Sequence, residues 1–168
     1  MVLDKLEEWW HYLWNKRSEV QELRWQDILM TKAILDIHRK RVHKEFVMVP
    51  LYQIKPLHPL DRENTIAAVE RRAEILREGR ERILAGGLLT RELLDEYIPS
   101  ITAIKVVADS EGGYISYEGN GRLGAMRQVF TPEDGIKVEV EEYYFRNPKK
   151  IVRRLNRVRR ANGILKEA

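Results

Sequence analysis

The sequence predicts an α+β domain: a small mixed β-sheet with flanking helices, an N-terminal helical hairpin ahead of it and a basic C-terminal helix behind it. Three observations predict it. Tyr114-Ile115-Ser116-Tyr117 is β-branched and aromatic and follows Gly112-Gly113, so it reads as a strand. It passes through Glu118-Gly119-Asn120-Gly121-Arg122 into a stretch with Leu123, Met126 and Phe130 at helical spacing. Ile136 to Glu141 alternates apolar and polar residues strictly, the period of a half-buried strand. Helical patterns alternate with these strands along the chain, which is the order of an α+β domain.

Residues 4 to about 44 read as helical throughout. Leu3, Leu6, Trp10 and Leu13 form an apolar stripe, and Ser18 with Gln21 makes a capping box for a second helix. That helix carries Ile28, Leu35 and Val42 on one side, with Trp25 and Leu29 near them. All four tryptophans, Trp9, Trp10, Trp14 and Trp25, lie in this segment. They suit a packed seam or an oligomer contact, because aromatic side chains act mainly through buried area. A stacking platform for bases is the other reading. Composition changes at Glu45, which divides the chain into a helical appendage, 1–44, and a main domain, 45–168.

Phe46 to Ile54 reads as an edge strand or two short pieces, because Pro50 interrupts it. Lys55 to Arg62 is a polar loop stiffened by Pro56 and Pro59. A helix from Thr65 to about Leu84 buries Ile66, Val69, Ala73, Leu76 and Ile83, and Gly86-Gly87 ends it. Thr90 starts a short helix to Tyr97, and Ile101 to Ala108 reads as a strand. Asp109 to Gly113 is the hairpin turn into Tyr114. The next helix begins at Leu123 and is followed by a loop, Thr131 to Gly135. Asn147-Pro148 opens the last helix, whose apolar side is Ile151, Val152, Leu155 and Val158.

Composition narrows the function classes. With 168 residues, 43% hydrophobic and 33% charged, the chain can bury a core. A net charge of +4 permits a nucleotide or nucleic-acid partner without requiring one. The absence of cysteine excludes disulfides, thiolate zinc sites, iron–sulfur clusters and cysteine catalysis. No apolar run reaches the ~20 residues of a membrane span. The acidic start MVLDKLEEWW is not a secretory signal, so a cytoplasmic location is expected. His11, His38, His43 and His58 do not form a metal signature.

The strand–turn–helix at 114–130 is the candidate site. A strand that turns through glycines into a helix leaves free N–H groups at the positive end of the helix dipole, which suits a phosphate. Gly119, Asn120 and Gly121 would supply the cradle, and Arg122 a planar fork for two phosphate oxygens. An ordinary βα turn, with Arg122 paired to a nearby carboxylate, is the alternative. Glu118 would hold Mg²⁺ or take a proton from an acceptor hydroxyl, or else pair with a surface base. In the last helix, Lys149, Lys150, Arg153, Arg154, Arg157, Arg159 and Arg160 occur without an acid. That helix can follow a phosphate backbone, neutralise the acids of the Glu139-Glu141-Glu142 strand, or present a solvated face.

Three pieces resemble the ParB/sulfiredoxin superfamily over roughly residues 46–145. They are Val49-Pro50-Leu51-Tyr52-Gln53-Ile54-Lys55-Pro56, Pro99-Ser100-Ile101-Thr102-Ala103-Ile104, and Glu118-Gly119-Asn120-Gly121-Arg122 followed by Leu123-Gly124-Ala125-Met126. The resemblance implies that the Gly-X-X-Arg turn cradles nucleotide phosphates and that the loop carrying Lys55, His58, Asp61 and Arg62 faces the same cleft. It implies ATP, ADP or CTP with Mg²⁺ as ligands. Asn120 stands where sulfiredoxins have cysteine, which excludes their activity. Asn120 and Gly121 replace the two histidines of free serine kinases. One basic helix stands where ParB proteins continue into a DNA-reading helix-turn-helix, so that reader is not expected here. Gly119-Asn120-Gly121-Arg122 is also similar to part of the Fic adenylyltransferase motif, but no histidine precedes it. The expected function is nucleotide or phosphate binding, with phosphotransfer or nucleotide hydrolysis at the turn. The alternatives are a DNA- or RNA-binding module on the basic helix, and a scaffold that associates through the N-terminal helices.

Overall fold

The computed structural model describes residues 25–165. The expectations for the first helix, for the capping box and for Trp9, Trp10 and Trp14 lie outside the described residues. Helices α1 (Trp25–Lys40), α2 (Glu63–Glu78), α3 (Arg80–Gly86), α4 (Arg91–Tyr97), α5 (Asn120–Val129) and α6 (Pro148–Ala161) flank one sheet. Its strands are β1 (Arg41–Pro50), β2 (Ile54–Pro56), β3 (Leu88–Leu89), β4 (Lys105–Ala108), β5 (Tyr114–Glu118) and β6 (Lys137–Phe145). Their order is β1-β6-β4-β5-β2, with β3 also against β6. The β2–β5, β4–β6 and β3–β6 pairs are parallel, the other two antiparallel, so the α+β class with a mixed sheet holds.

Alternation along the strands divides the core in two. Val49, Val106, Val138 and Val140 face Val69, Leu76, Leu94 and Met126 from the helices α2, α4 and α5. Val107, Ile115, Tyr117 and Tyr143 face Ile37 of α1 and Ile151, Leu155 and Val158 of α6. The sheet therefore lies between two helical layers.

The structure differs from the sequence reading in five places. Residues 41–44 are strand, not helix, because β6 runs as far as Phe145 and offers them pairing partners, with a bulge between Arg41 and His43. The break at Glu45 therefore falls inside β1. In α1, Ile28 and Leu35 point outward, and the buried side is Ala33, Asp36 and Ile37. The long helix divides at Gly79, where a Cβ would lie 2.3 Å from Tyr97 Cζ, and Ile66 is exposed. The strand expected from Ile101 begins only at Lys105, whose antiparallel partner Glu118 is the last residue of β5, so the residues before it have no β5 neighbour. Ile101 is 99% exposed. Helix α5 starts at Asn120, three residues before the expected Leu123.

Other signals translate directly. Pro50 ends β1, and the chain crosses from one edge of the sheet to the other to begin β2. Gly87, at φ +67°, caps α3, and Thr90 caps α4 by accepting a bond from Leu93 N. Asn147 caps α6 in the same way through Lys150 N.

Candidate functional site

At the carboxyl end of β5 a cleft of about 320 Å³ opens between the two helical layers. Met30 and Ile34 of α1 form one wall, Thr65 and Arg72 of α2 another, and the Glu118–Arg122 turn the floor. The turn depends on Gly119, at φ +91°, where a Cβ would meet Ile104 Cγ1 at 2.8 Å. Only glycine takes this conformation readily, and here it also has no room for a side chain.

Gly119 provides no side-chain cap to α5. The first helical bond, Leu123 N to Gly119 O, is 3.1 Å long, so the amides of Asn120, Gly121 and Arg122 precede the intrahelical ladder. All three residues line the cleft. Arg122 is 4% exposed and donates to Thr102 O at 2.5 Å. Burial pushes its pKa down, Asp95 and Glu118 oppose that shift, and Arg72 and Arg91 add to it. A desolvated guanidinium among other cations gains from an anion brought alongside.

Glu118 binds Lys105 at 2.7 Å. Burial would raise its pKa, but Lys105 and Thr102 outweigh burial and hold the carboxyl below its ordinary value. Glu118 is thus a paired anion and a poor proton acceptor at neutral pH. Asn120 Oδ1 and the Tyr117 hydroxyl, both in cleft-lining residues, are buried without a hydrogen-bond partner among the described residues. Burial keeps the Tyr117 hydroxyl protonated.

The structure divides the expected loop residues. His58 lines the cleft, with Nδ1 2.9 Å from Pro59 O, to which it donates. Lys55 does not line it. Because β2 runs parallel to β5, Lys55 is level with Ile115, well before Glu118, and it pairs with Asp109 at 2.8 Å and Glu111 at 2.5 Å. Arg62 stands outside the cleft at the N-cap of α2 and contacts Asp27 at 3.2 Å. Asp61 is exposed and is not among the lining residues.

The sequence reading missed Arg72, which lies off the apolar side it gave to that helix. In α5, Gly121 and Gly124 stand three apart on the side that meets α2 and the loop before it. A Cβ on Gly121 would lie 2.8 Å from Arg72 Nη1 of α2, and one on Gly124 would lie 2.4 Å from Leu60 Cδ1 in that loop and 3.5 Å from Val69 Cγ1 of α2. Two glycines one helical turn apart were the signal available.

The expected nucleic-acid residues separate as well. Lys149, Lys150, Arg153 and Arg157 of α6 are exposed. Arg154 turns inward to pair with Asp36, and Arg159 is buried, donating to Pro56 O at 3.1 Å. Helix α6 does not neutralise the acids of β6. Glu141 binds Lys44 at 2.6 Å and the Tyr143 hydroxyl at 2.8 Å, Glu142 accepts from Tyr144, and Glu139 accepts from Arg91 N. Among the described residues, no group of three or more His, Asp or Glu could hold a metal, and no helix is long and apolar enough to cross a membrane.

Compared with known proteins, the chain matches no protein-family model, no curated protein and no solved structure.

Proposed function

We propose that this chain binds a nucleotide or another phosphorylated small molecule, with the phosphate seated between Arg122, Arg72 and the first turn of α5. The observation that carries the reading is Arg122: a guanidinium buried beside an opening, one N–H donor committed to a backbone carbonyl, at the uncapped start of a helix. Volume supports a modest ligand, since about 320 Å³ is at the lower end of the ~300–1,000 Å³ usual for small-molecule sites. The resemblance of the Gly119–Arg122 turn to ParB/sulfiredoxin domains supports the same assignment by analogy.

If Mg²⁺ accompanies a nucleotide, Glu118 is the one carboxylate among the cleft-lining residues, and the phosphates would supply other ligands. Its pairing with Lys105 favours a binding role over that of general base. Calorimetric titration with ATP, ADP and CTP, with and without Mg²⁺, tests the proposal. Binding of at least one that is lost in Arg122→Ala is the expected result. No heat with any of the three, or binding unchanged by Arg122→Ala, would overturn it.

A further inference from the structure

A second concavity, of about 350 Å³, lies where the C-terminal end of α1 enters β1 and the end of β6 enters α6. It is lined by Arg39, Lys40, Arg41, Arg146 and Lys150, and no acid lines it. The sequence separates these cations by more than a hundred residues, and the antiparallel pairing of Arg41 with Phe145 brings them together. Arg39 and Lys40 share Asp36 with Arg154, three cations to one carboxylate, so positive charge is left over. Arg41 stacks over the Tyr143 ring at 5.5 Å. The side chains of Arg146 and Lys150 are exposed and have no partner among the described residues.

The bowl continues onto α6. Lys149, Arg153 and Arg157 are exposed at i, i+4 and i+8, a row with steps of about 6 Å. A row of like charges leading into a basic bowl suits a linear polyanion better than a compact one. Val42 and the half-buried Phe145 ring also line the bowl. Aromatic and apolar surface among cations accepts a base or sugar as well as a phosphate. An acidic peptide would use the ring only where it carries an apolar side chain, whereas every nucleotide brings a base. An anionic membrane would need apolar groups on a projecting surface, and these lie in a concavity. We infer that the bowl and the outer row of α6 bind the phosphodiester backbone of a single-stranded nucleic acid. This site is separate from the Arg122 cleft, because α1 runs about 9 Å from Ile34 in the cleft wall to Lys40 in the bowl.

The test is anisotropy of a labelled single-stranded oligonucleotide with the full chain across a salt series. The log–log slope is expected to flatten by about 1.4 in Arg146→Gln/Lys150→Gln, at about 0.7 per lost phosphate contact. Affinity at low salt should fall about 10-fold, since each lost ionic contact removes part of the counterion-release term. Arg71→Gln/Arg77→Gln makes the same charge change on exposed positions of α2 and should alter affinity less than about twofold if bowl contacts, not net charge, drive binding. Arg122→Ala should leave oligonucleotide binding intact, which separates this site from the cleft. Three results would overturn the inference: no binding at low salt, equal losses in the two double variants, or polyglutamate competing as well as unlabelled oligonucleotide.

Discussion

The two basic regions meet α1 at different points, the cleft at Met30 and Ile34 and the bowl at the C-terminal end, and treat their cations in different ways. In the cleft, Arg122 is desolvated, tied to Thr102 O and surrounded by a turn that only glycine can make. Around the bowl, Lys149, Lys150, Arg153 and Arg157 stand in water. A buried cation acts through geometry and is screened little by salt, whereas exposed cations act through their number and are screened strongly. The first arrangement suits one anion in one pose, the second many phosphates in many poses. The longest basic run of the sequence thus lies mostly on exposed helix surface, whereas the buried guanidinium of the cleft is a single arginine beside a glycine turn.

The largest difference expected is in stability. Gly119→Ala places a side chain at φ +91° against Ile104 and should cost about 2–4 kcal/mol, combining left-handed backbone and overpacking penalties. Arg157→Ala should stay within about 0.5 kcal/mol, as exposed substitutions usually do. Urea denaturation of both variants checks the contrast, and equal losses would mean the turn is not held as described.

Next comes affinity. Arg122→Lys keeps the charge and removes the fork, and should weaken the cleft ligand about 10–100-fold, the worth of one charge-assisted hydrogen bond. Lys149→Ala should leave that affinity unchanged in the same calorimetric titration. Gly121→Val should weaken it about 10-fold by displacing Arg72, which lies 2.8 Å from the position of the new Cβ; this corresponds to about 1.4 kcal/mol. Crystal or NMR data on Arg72 would show the displacement.

The smallest effect is with pH. Glu118 has a folded pKa below its ordinary value of 4.5, because Lys105 and Thr102 outweigh burial. Its contribution is therefore present above pH 4.5 and is lost as pH falls through the lower folded value. Glu118→Gln should reduce the fall in melting temperature over that acid range, while Glu133→Gln, at a fully exposed position, should do so less. A melting series from pH 2 to 7 would show either outcome.

Periodicity carried most of the elements. The alternation of Ile136–Glu141, the apolar side of α6 and the caps at Thr90 and Asn147 are local properties, and each became the element expected. The Gly119–Arg122 turn was legible for the same reason, since a left-handed glycine between a strand and a helix is written in the chain. Position across the sheet was not written there. Val42 became a strand residue, left unpaired in the bulge, because its neighbours Arg41 and His43 pair with Phe145 and Tyr144 of β6, and Ile28 faced outward because α1 is held by Ile37 and Asp36. Arg72 reached the cleft because α2 packs on α5 with its guanidinium over Gly121, where there is no side chain, and Lys55 missed it because β2 pairs with the start of β5. Local chemistry sets what each segment becomes over a few residues. Which side chains meet is set by long-range pairing and packing, whose energies depend on neighbours far away in the sequence.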